Sequence, residues 1–248
     1  MRMLVVVLAT VALAGCGGGD SDQPLVVSAA ASLKQAFTAY GHDFSAGQAR
    51  FSFAGSDELA AQIEQGVKPD VYAAANTKLP DELYQKGLVE KPTVFAGNRL
   101  VLAVPSDGAK VASLQDLEAK DVKLAIGAED VPIGAYTRTV LDKLPAAERQ
   151  AILANVRTEE PDVSGIVGKL TTGAVDAGFL YISDVRGAEG ALKAIELPDE
   201  LQPQVAYGVA VVKGAKHPDQ ARKFIDGLLA GAGADALKNA GFEPPPGQ

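Results

Sequence analysis

Short apolar runs alternate with stretches of helical periodicity along the first part of the chain. Strands are predicted at residues 26–30, 50–53 and 70–75, and helices at residues 32–44, 57–65 and 79–86. Gly66 and Gly87 follow the second and third helical stretches as stop signals. Strands that alternate with helices in this way predict an α/β domain with a largely parallel sheet.

The same alternation starts again after a long apolar run at residues 99–105. Helices are predicted at 114–117, 134–144, 146–155, 164–171, 219–229 and 232–240, and strands at 123–127, 156–159, 177–181 and 204–212. The two long strands, 99–105 and 204–212, bracket the second α/β unit. We therefore expect the chain to cross to a second lobe and return, with residues 25–99 plus 206–248 as lobe I and residues 100–205 as lobe II.

The N-terminal residues have the pattern of a targeting segment. Arg2 precedes an apolar run at residues 4–14, which is shorter than the roughly 20 residues that span a bilayer. Residues 13–16, Leu-Ala-Gly-Cys, resemble the lipobox of bacterial lipoproteins, and Cys16 has no disulfide partner because it is the only cysteine. We expect residues 1–16 to be a lipoprotein signal peptide, with Cys16 retained as the acylated mature N-terminus. The alternative is an ordinary signal peptide with an incidental cysteine.

Residues 17–24 are rich in glycine and polar side chains, which is typical of a flexible tether. The body of the protein should then be exported, lipid-anchored at the outer face of the cytoplasmic membrane or in the periplasm. The chain has 23 Lys and Arg against 31 Asp and Glu, a formal charge of −8. That balance argues against nucleic acid as a partner, because phosphates require clustered cations.

Two apolar strands each lead directly into a serine that opens a helix, at Ser32 and Ser56. The first turn of a helix has free N–H groups and the positive end of the helix dipole, which together favour an anion. Ser32 also has an alternative interpretation: with Gln35 three residues later it fits a capping box and could cap its own helix.

Three further segments place donors at comparable positions. Ile133 lies at the first amides of a helix that follows Pro132, Val163 opens another helix, and Tyr181 ends an apolar strand. All of them lie where strands of an α/β sheet end, the edge at which such sheets bind ligands. The alternatives are that Asp162 is an ordinary N-cap and that Tyr181 is an ordinary half-buried aromatic.

The sequence argues against an enzyme. A serine nucleophile needs a base beside it, and the two histidines are His42 and His217, with no Gly-x-Ser-x-Gly motif. His42 lies on the helix of Ser32 but about 15 Å further along it, and His217 is expected at the surface. Two isolated histidines also leave no cluster for a bare metal cation. An exported serine hydrolase is kept only as a remote alternative.

Several motifs together resemble the periplasmic molybdate-binding proteins of ABC importers. The matching stretches are Ala29-Ala-Ala-Ser-Leu33, Phe53-Ala-Gly-Ser56, Pro69-Asp70-Val, Val131-Pro132-x-Gly134-x-Tyr136, Asp162-Val163-x-Gly165, Gly178-Phe-Leu-Tyr181-x-Ser-Asp184 and Tyr207-x-Val-Ala-Val-Val212. They are collinear from Leu25 to the C-terminus. The resemblance implies a type II periplasmic binding protein with two lobes. Each lobe would contain a mixed, mainly parallel sheet flanked by helices, and a two-strand hinge would join them.

The resemblance also implies the function and the site. Molybdate or tungstate would be held between the lobes by the hydroxyls and amides of Ser32 and Ser56, the amides of Ile133 and Val163, and the phenol of Tyr181. Such a site consists of neutral donors and suits a fully deprotonated oxyanion, because a protonated one would present an O–H without an acceptor. Sulfate or a small organic acid is the alternative cargo.

No cofactor is expected, and molybdenum would be held as its oxyanion rather than as a bare cation. A membrane permease and its ATPase are the implied partners of a monomeric protein. Two positions depart from the family's common pattern: Gly55 stands where a serine is frequent, and Asp57 places a carboxylate in the first turn after Ser56. An inward-facing Asp57 would disfavour a dianion.

Overall fold

The structure, a computed structural model, describes residues 23–247. The predicted signal peptide, Cys16 and all but the last two residues of the predicted tether lie outside this range. Within the range, none of the helices combines the length and the apolar character that crossing a membrane requires.

The described chain alternates strands and helices from its first element to its last. The strands are β1 (Leu25–Ala30), β2 (Ala49–Ala54), β3 (Val71–Ala74), β4 (Thr93–Asn98), β5 (Leu100–Pro105), β6 (Leu124–Gly127), β7 (Val156–Glu160), β8 (Ala177–Tyr181), β9 (Leu192–Glu196) and β10 (Val205–Val211). The helices are α1 (Lys34–Asp43), α2 (Ser56–Glu64), α3 (Lys78–Gln85), α4 (Pro132–Asp142), α5 (Ala146–Ala154), α6 (Val163–Thr171), α7 (Ile182–Gly187), α8 (Pro218–Leu229) and α9 (Ala232–Asn239).

The strands form two five-stranded sheets with the same arrangement. The first has the order β2-β1-β3-β10-β4 and the second has the order β7-β6-β8-β5-β9. In each sheet one strand, β10 or β5, runs antiparallel to both of its neighbours, and the other pairings are parallel. Each sheet with its flanking helices forms a lobe, and we call these the first and the second lobe. The predicted fold of two mixed, mainly parallel sheets is confirmed.

The chain passes between the sheets at two connections. β4 ends at Asn98 and β5 begins at Leu100, so the chain crosses to the second lobe at Arg99 and returns between β9 and β10. The pattern did not predict β4, β9 or the short helix α7. β4 contains Gly97, where an added Cβ would lie 2.8 Å from the carbonyl oxygen of Pro244. A glycine required by such tertiary contact weakens the strand signal in the sequence.

A buried carboxylate joins three elements of the first lobe and corrects one expectation. Asp70 accepts hydrogen bonds from the backbone N–H groups of Val26 and His217, both at 2.8 Å. The His217 ring lies 3.2 Å from the same carboxylate, and its side chain is only 8% exposed. The expectation that His217 is a surface residue was therefore wrong: it is packed at the start of α8 and tied to Asp70.

Candidate functional site

One cavity between the lobes brings together all five residues predicted to hold an anion. Ser32 and Ser56 line it from the first lobe, and Ile133, Val163 and Tyr181 line it from the second. Tyr181 ends β8, and the other four residues lie in the segments that follow β1, β2, β6 and β7, between two and six residues after the strand ends. The carboxyl ends of the two sets of parallel strands therefore face each other across the cavity.

Ser32 lies in a 3-10 turn, Ala31–Leu33, between β1 and α1. Its side chain caps neither this turn nor α1, so the capping-box alternative was wrong. The hydroxyl oxygen lies instead 2.9 Å from the phenol oxygen of Tyr207, a fully buried residue of β10. The tertiary contact with Tyr207 thus holds the Ser32 side chain at the cavity.

Ser56 is the first residue of α2 and is also buried. Its hydroxyl oxygen accepts a hydrogen bond from the Ala75 N–H at 3.0 Å, and its carbonyl accepts one from the Tyr72 phenol at 2.7 Å. Because the oxygen is already an acceptor, the hydroxyl proton remains available to a group in the cavity.

The two predicted amides lie at helix N-termini in the second lobe. In α4 the first N–H to bond back is that of Ala135, and in the described part of the chain the Ile133 N–H has no acceptor. In α6, Asp162 accepts from the Gly165 N–H at 3.1 Å, so it is an ordinary N-cap as the alternative proposed. The Val163 N–H nevertheless has no acceptor within the same range and lines the cavity.

Tyr181 is fully buried rather than half-buried, and its ring packs edge-on against Tyr207 and Tyr136. Within residues 23–247 its phenol oxygen has no hydrogen-bond partner. Burial raises the pKa of Tyr181 well above its ordinary value, so the phenol keeps its proton. A buried hydroxyl without a partner costs about 1–3 kcal/mol. The orphaned phenol at the cavity wall therefore points to a ligand that accepts its proton.

Asp57 lies beside the cavity and is not among the residues that line it. Burial is the main cause that raises its pKa, and the carboxylates of Asp130 and Asp162 in the second lobe raise it further. Its Oδ1 atom is buried without a partner in the described range. A Cβ at Gly55 would lie 2.8 Å from both this oxygen and the Pro161 carbonyl oxygen. Gly55 therefore makes room for Asp57 and for the close approach of the second lobe.

A second carboxylate, that of Asp184, holds the backbone of the cavity residue Tyr181. Asp184 accepts a hydrogen bond from the Tyr181 N–H at 3.0 Å and so holds the end of β8 against the start of α7. Burial raises the pKa of Asp184 from 3.8 to about 7, while the bond from Tyr181 opposes this rise. Near neutral pH this carboxyl is therefore partly protonated.

Hydrogen-bond donors dominate the polar lining of the cavity. Among the residues that the structure describes, no Lys, Arg or His contributes to this lining, and the three hydroxyls and two free amides can all donate into the cavity. The carboxylate of Asp162 also lines the cavity and accepts the Gly165 N–H. The space open to the centre of a water molecule is about 20 Å³, little more than the roughly 10–15 Å³ that one water needs. Among the described residues, no group of three His, Cys, Asp or Glu side chains is placed to hold a metal ion.

The sequence did not reveal the residues behind the cavity wall. Tyr207 and Asn98 contact Ser32 and Ser183 across long sequence separations. Tyr207 lies within an apolar strand, and Asn98 ends a strand that the pattern missed. Only the pairing of β10 with β4 brings the two residues together.

Comparison with known proteins agrees with the fold. The bacterial extracellular solute-binding proteins match residues 25–243. The chain is similar to the molybdate-binding protein ModA of Mycobacterium tuberculosis, with 34% identity over 235 residues that cover 92% of this chain and 88% of that protein. It is 28% identical to ModA of Haemophilus influenzae over 98% of this chain and 99% of that protein. Its fold is similar to that of the Azotobacter vinelandii periplasmic molybdate-binding protein, with a TM-score of 0.78 at 19% identity, over 89% of this chain and 99% of that one. The chain belongs to the bacterial extracellular solute-binding protein family.

Proposed function

We propose that this protein is the substrate-binding component of an ABC importer, captures molybdate or tungstate between its lobes, and passes it to a membrane permease. The observation that carries this proposal is the donor set of the cavity. Three buried hydroxyls and two free amides converge on one small space, and none of the lining side chains within residues 23–247 is a cation. The similarity to molybdate-binding proteins of two bacteria supports the choice of anion.

The donor set explains how a dianion is held without a counter-charge. Transfer of an ion from water into a protein is costly unless hydrogen bonds replace its hydration. Donors from five separate elements can surround a tetrahedral anion, and each bond to a charged group contributes about 1.5–3 kcal/mol. The small cavity favours a compact anion over an organic acid. Sulfate is the remaining alternative cargo, because it has the same charge and shape.

Closure of the lobes follows from the same arrangement. Ser32 and Ser56 belong to the first lobe, and Ile133, Val163 and Tyr181 belong to the second, so an open form presents only part of the donor set. An anion that binds more tightly when all donors are present shifts the equilibrium toward the closed form. The permease and its ATPase would then recognise the closed, loaded protein.

Anion binding is tested by isothermal titration calorimetry of the purified protein with molybdate, tungstate, sulfate and phosphate. We expect tight binding of molybdate and tungstate, weaker binding of sulfate and the weakest binding of phosphate. Tighter binding of sulfate than of molybdate would establish the alternative cargo, and no binding of molybdate or tungstate would refute the proposal.

A matched pair of serine substitutions tests the role of the hydroxyls. Ser32→Ala removes one donor and should weaken molybdate binding roughly 10- to 150-fold, the equivalent of one bond to a charged group. Ser106→Ala is the control, because the Ser106 hydroxyl donates at 2.6 Å to the Gly190 carbonyl and does not line the cavity. An unchanged affinity in Ser32→Ala would contradict the assigned role.

Export and anchoring form a separate part of the proposal. We infer that the protein is cleaved before Cys16 and acylated there, that the segment after it serves as a tether, and that the mature protein works as a monomer outside the cytoplasmic membrane. Mass spectrometry of the mature N-terminus checks this. A mature chain that begins after Cys16, or that carries no acyl group, would contradict the anchor.

A further inference from the structure

A chain of buried polar groups leads from the cavity to the crossing between the lobes. The Ser32 hydroxyl oxygen lies 2.9 Å from the Tyr207 phenol oxygen. Burial raises the pKa of the Tyr207 phenol, and the side chain of Asn98, the last residue of β4, lies close enough to oppose this rise. The Asn98 amide nitrogen donates to the Ser183 hydroxyl at 2.9 Å. Ser32, Tyr207 and Asn98 thus form a continuous network just behind the cavity wall.

The direction of each bond in this network follows from the Arg99 backbone. The Arg99 N–H donates to the Asn98 side-chain oxygen at 2.9 Å, so the amide oxygen is occupied and the amide nitrogen faces Tyr207 and Ser183. An amide nitrogen donates and cannot accept. The phenol is also the more acidic of the two hydroxyls, so the single proton of Tyr207 goes to the Ser32 hydroxyl oxygen 2.9 Å away. The proton of Ser32 has no acceptor in the described part of the chain and is directed into the cavity that Ser32 lines.

We propose that Tyr207, oriented by Asn98, is a positioning residue that fixes Ser32 as a hydrogen-bond donor and so makes the cavity reject anions that carry a proton. The inference rests on the proposed function, because it concerns the choice among oxyanions at the same site. A hydrogen phosphate ion has an O–H that needs an acceptor, and a Ser32 hydroxyl locked as a donor does not offer one.

Ser56 needs no side chain to direct its hydroxyl proton, and in this it differs from Ser32. The Ser56 oxygen accepts from the Ala75 N–H at 3.0 Å, and a backbone N–H can only donate. The proton of Ser56 is thus directed by the main chain itself. Ser32 has a phenol in that place, and a phenol can donate or accept. Its direction depends on Asn98 and can be altered by substitution.

The first experiment compares molybdate with phosphate binding in the wild-type protein and in Tyr207→Phe, by calorimetry on the full chain. Loss of the Tyr207 proton frees the Ser32 hydroxyl to turn and accept. We expect molybdate binding to weaken roughly fivefold, as for one neutral hydrogen bond. Phosphate binding should weaken less or become tighter, so that the selectivity for molybdate falls. A structural defect alone would weaken both anions equally.

Tyr40→Phe is the matched control for loss of a buried phenol. The Tyr40 hydroxyl donates to the Phe224 carbonyl at 3.1 Å, and Tyr40 does not line the cavity. This variant should reduce stability without changing the selectivity between the two anions. Equal selectivity in Tyr207→Phe and the wild type would overturn the inference. Wild-type protein that binds neither molybdate nor tungstate would instead refute the proposed function itself.

A second variant, Asn98→Asp, reverses the direction of the hydrogen bonds in the network. It tests the inference even if Tyr207→Phe does not fold. In Asn98→Asp a carboxylate takes the place of the amide nitrogen, so Tyr207 donates to it and Ser32 donates to Tyr207. The Ser32 proton then turns away from the cavity. Asn98→Asp also adds a charge, and the same substitution in the Ser32→Ala background measures that effect separately. We expect Asn98→Asp to weaken molybdate binding at least about fivefold more when Ser32 is present. Equal losses in the two backgrounds would overturn the inference.

Discussion

Replacement of Tyr181 by phenylalanine separates a binding role from a structural one, because the two roles predict opposite results. Tyr181 is fully buried, and within residues 23–247 its phenol oxygen has no partner. The ring, which packs against Tyr207 and Tyr136, is retained in the variant. Tyr181→Phe therefore removes one oxygen and its proton and leaves the packing unchanged.

The expected magnitudes follow from the environment of the phenol. A hydrogen bond to a charged group contributes about 1.5–3 kcal/mol, so loss of this bond should weaken molybdate binding roughly 10- to 150-fold. A hydroxyl that bonds to no protein group contributes nothing to folding through hydrogen bonds. The thermal midpoint of the ligand-free variant should therefore equal or exceed that of the wild type.

Calorimetry with molybdate measures the affinity, and a thermal melt without and with molybdate measures both stabilities. The stabilisation by molybdate should shrink in the variant as its affinity falls. Tyr40→Phe is the control with the opposite pattern, since its hydroxyl bonds the Phe224 carbonyl: the ligand-free midpoint should fall and the affinity should stay. Wild-type molybdate affinity in Tyr181→Phe, whatever its thermal midpoint, would refute the assignment of Tyr181 to the site.

Three further substitutions test the surroundings of the cavity. Gly55→Ala places a Cβ 2.8 Å from the Pro161 carbonyl of the other lobe, so closure should cost about 1–3 kcal/mol more and calorimetry should show weaker molybdate binding. The same Cβ lies 2.8 Å from the Asp57 carboxylate within the first lobe, and a ligand-free melt measures that separate cost. Unchanged affinity would mean that the lobes do not approach this closely in the complex. Asp57→Asn should tighten binding at and above neutral pH, because burial raises the pKa of Asp57 and its charge opposes the closed form. The gain over the wild type, measured at each pH, should shrink as the pH falls and Asp57 becomes protonated; a constant gain would argue against this. Asp184→Asn keeps an oxygen to accept the Tyr181 N–H. The folded-state pKa of Asp184, about 7, lies above its ordinary 3.8, so its contribution to stability is lost as the pH rises between these values. Thermal melts should show Asp184→Asn more stable than the wild type above neutral pH, with a difference that decreases toward acid pH, and a difference independent of pH would contradict the raised pKa.

The net charge of the whole chain makes the orientation of the cavity's hydroxyls and amides important for anion binding. The protein has a formal charge of −8, which repels an anion, and the part of the chain that the structure describes places no basic side chain in the cavity lining to offset it. Attraction must then come from dipoles at short range, whose effect depends on orientation. The direction of each hydroxyl and each amide is therefore as important as its position.

The sequence was informative where the signal is local. Apolar periodicity and turn residues predicted most strands and helices, and the position of Ser32 and Ser56 just after strands predicted their place at the ligand edge of the first sheet. β4 was missed because its apolar run is short and includes Gly97, whose requirement comes from contact with Pro244. The capping role considered for Ser32 failed because Tyr207, far away in the sequence, holds its hydroxyl.

The sequence by itself therefore determined most strands and helices of the two α/β lobes, and it pointed to the five residues that line the cavity. These follow from hydrogen bonding and burial within short segments of chain, which residue order specifies directly. The tertiary structure alone decided how the donors are used. It buried the Tyr181 phenol in the cavity wall with no partner among residues 23–247, set Asp57 beside the cavity rather than in its lining, and brought Asn98 and Tyr207 together behind Ser32. A hydroxyl takes its direction from neighbours that only the folded sheet supplies, and in this cavity those directions determine which anion fits.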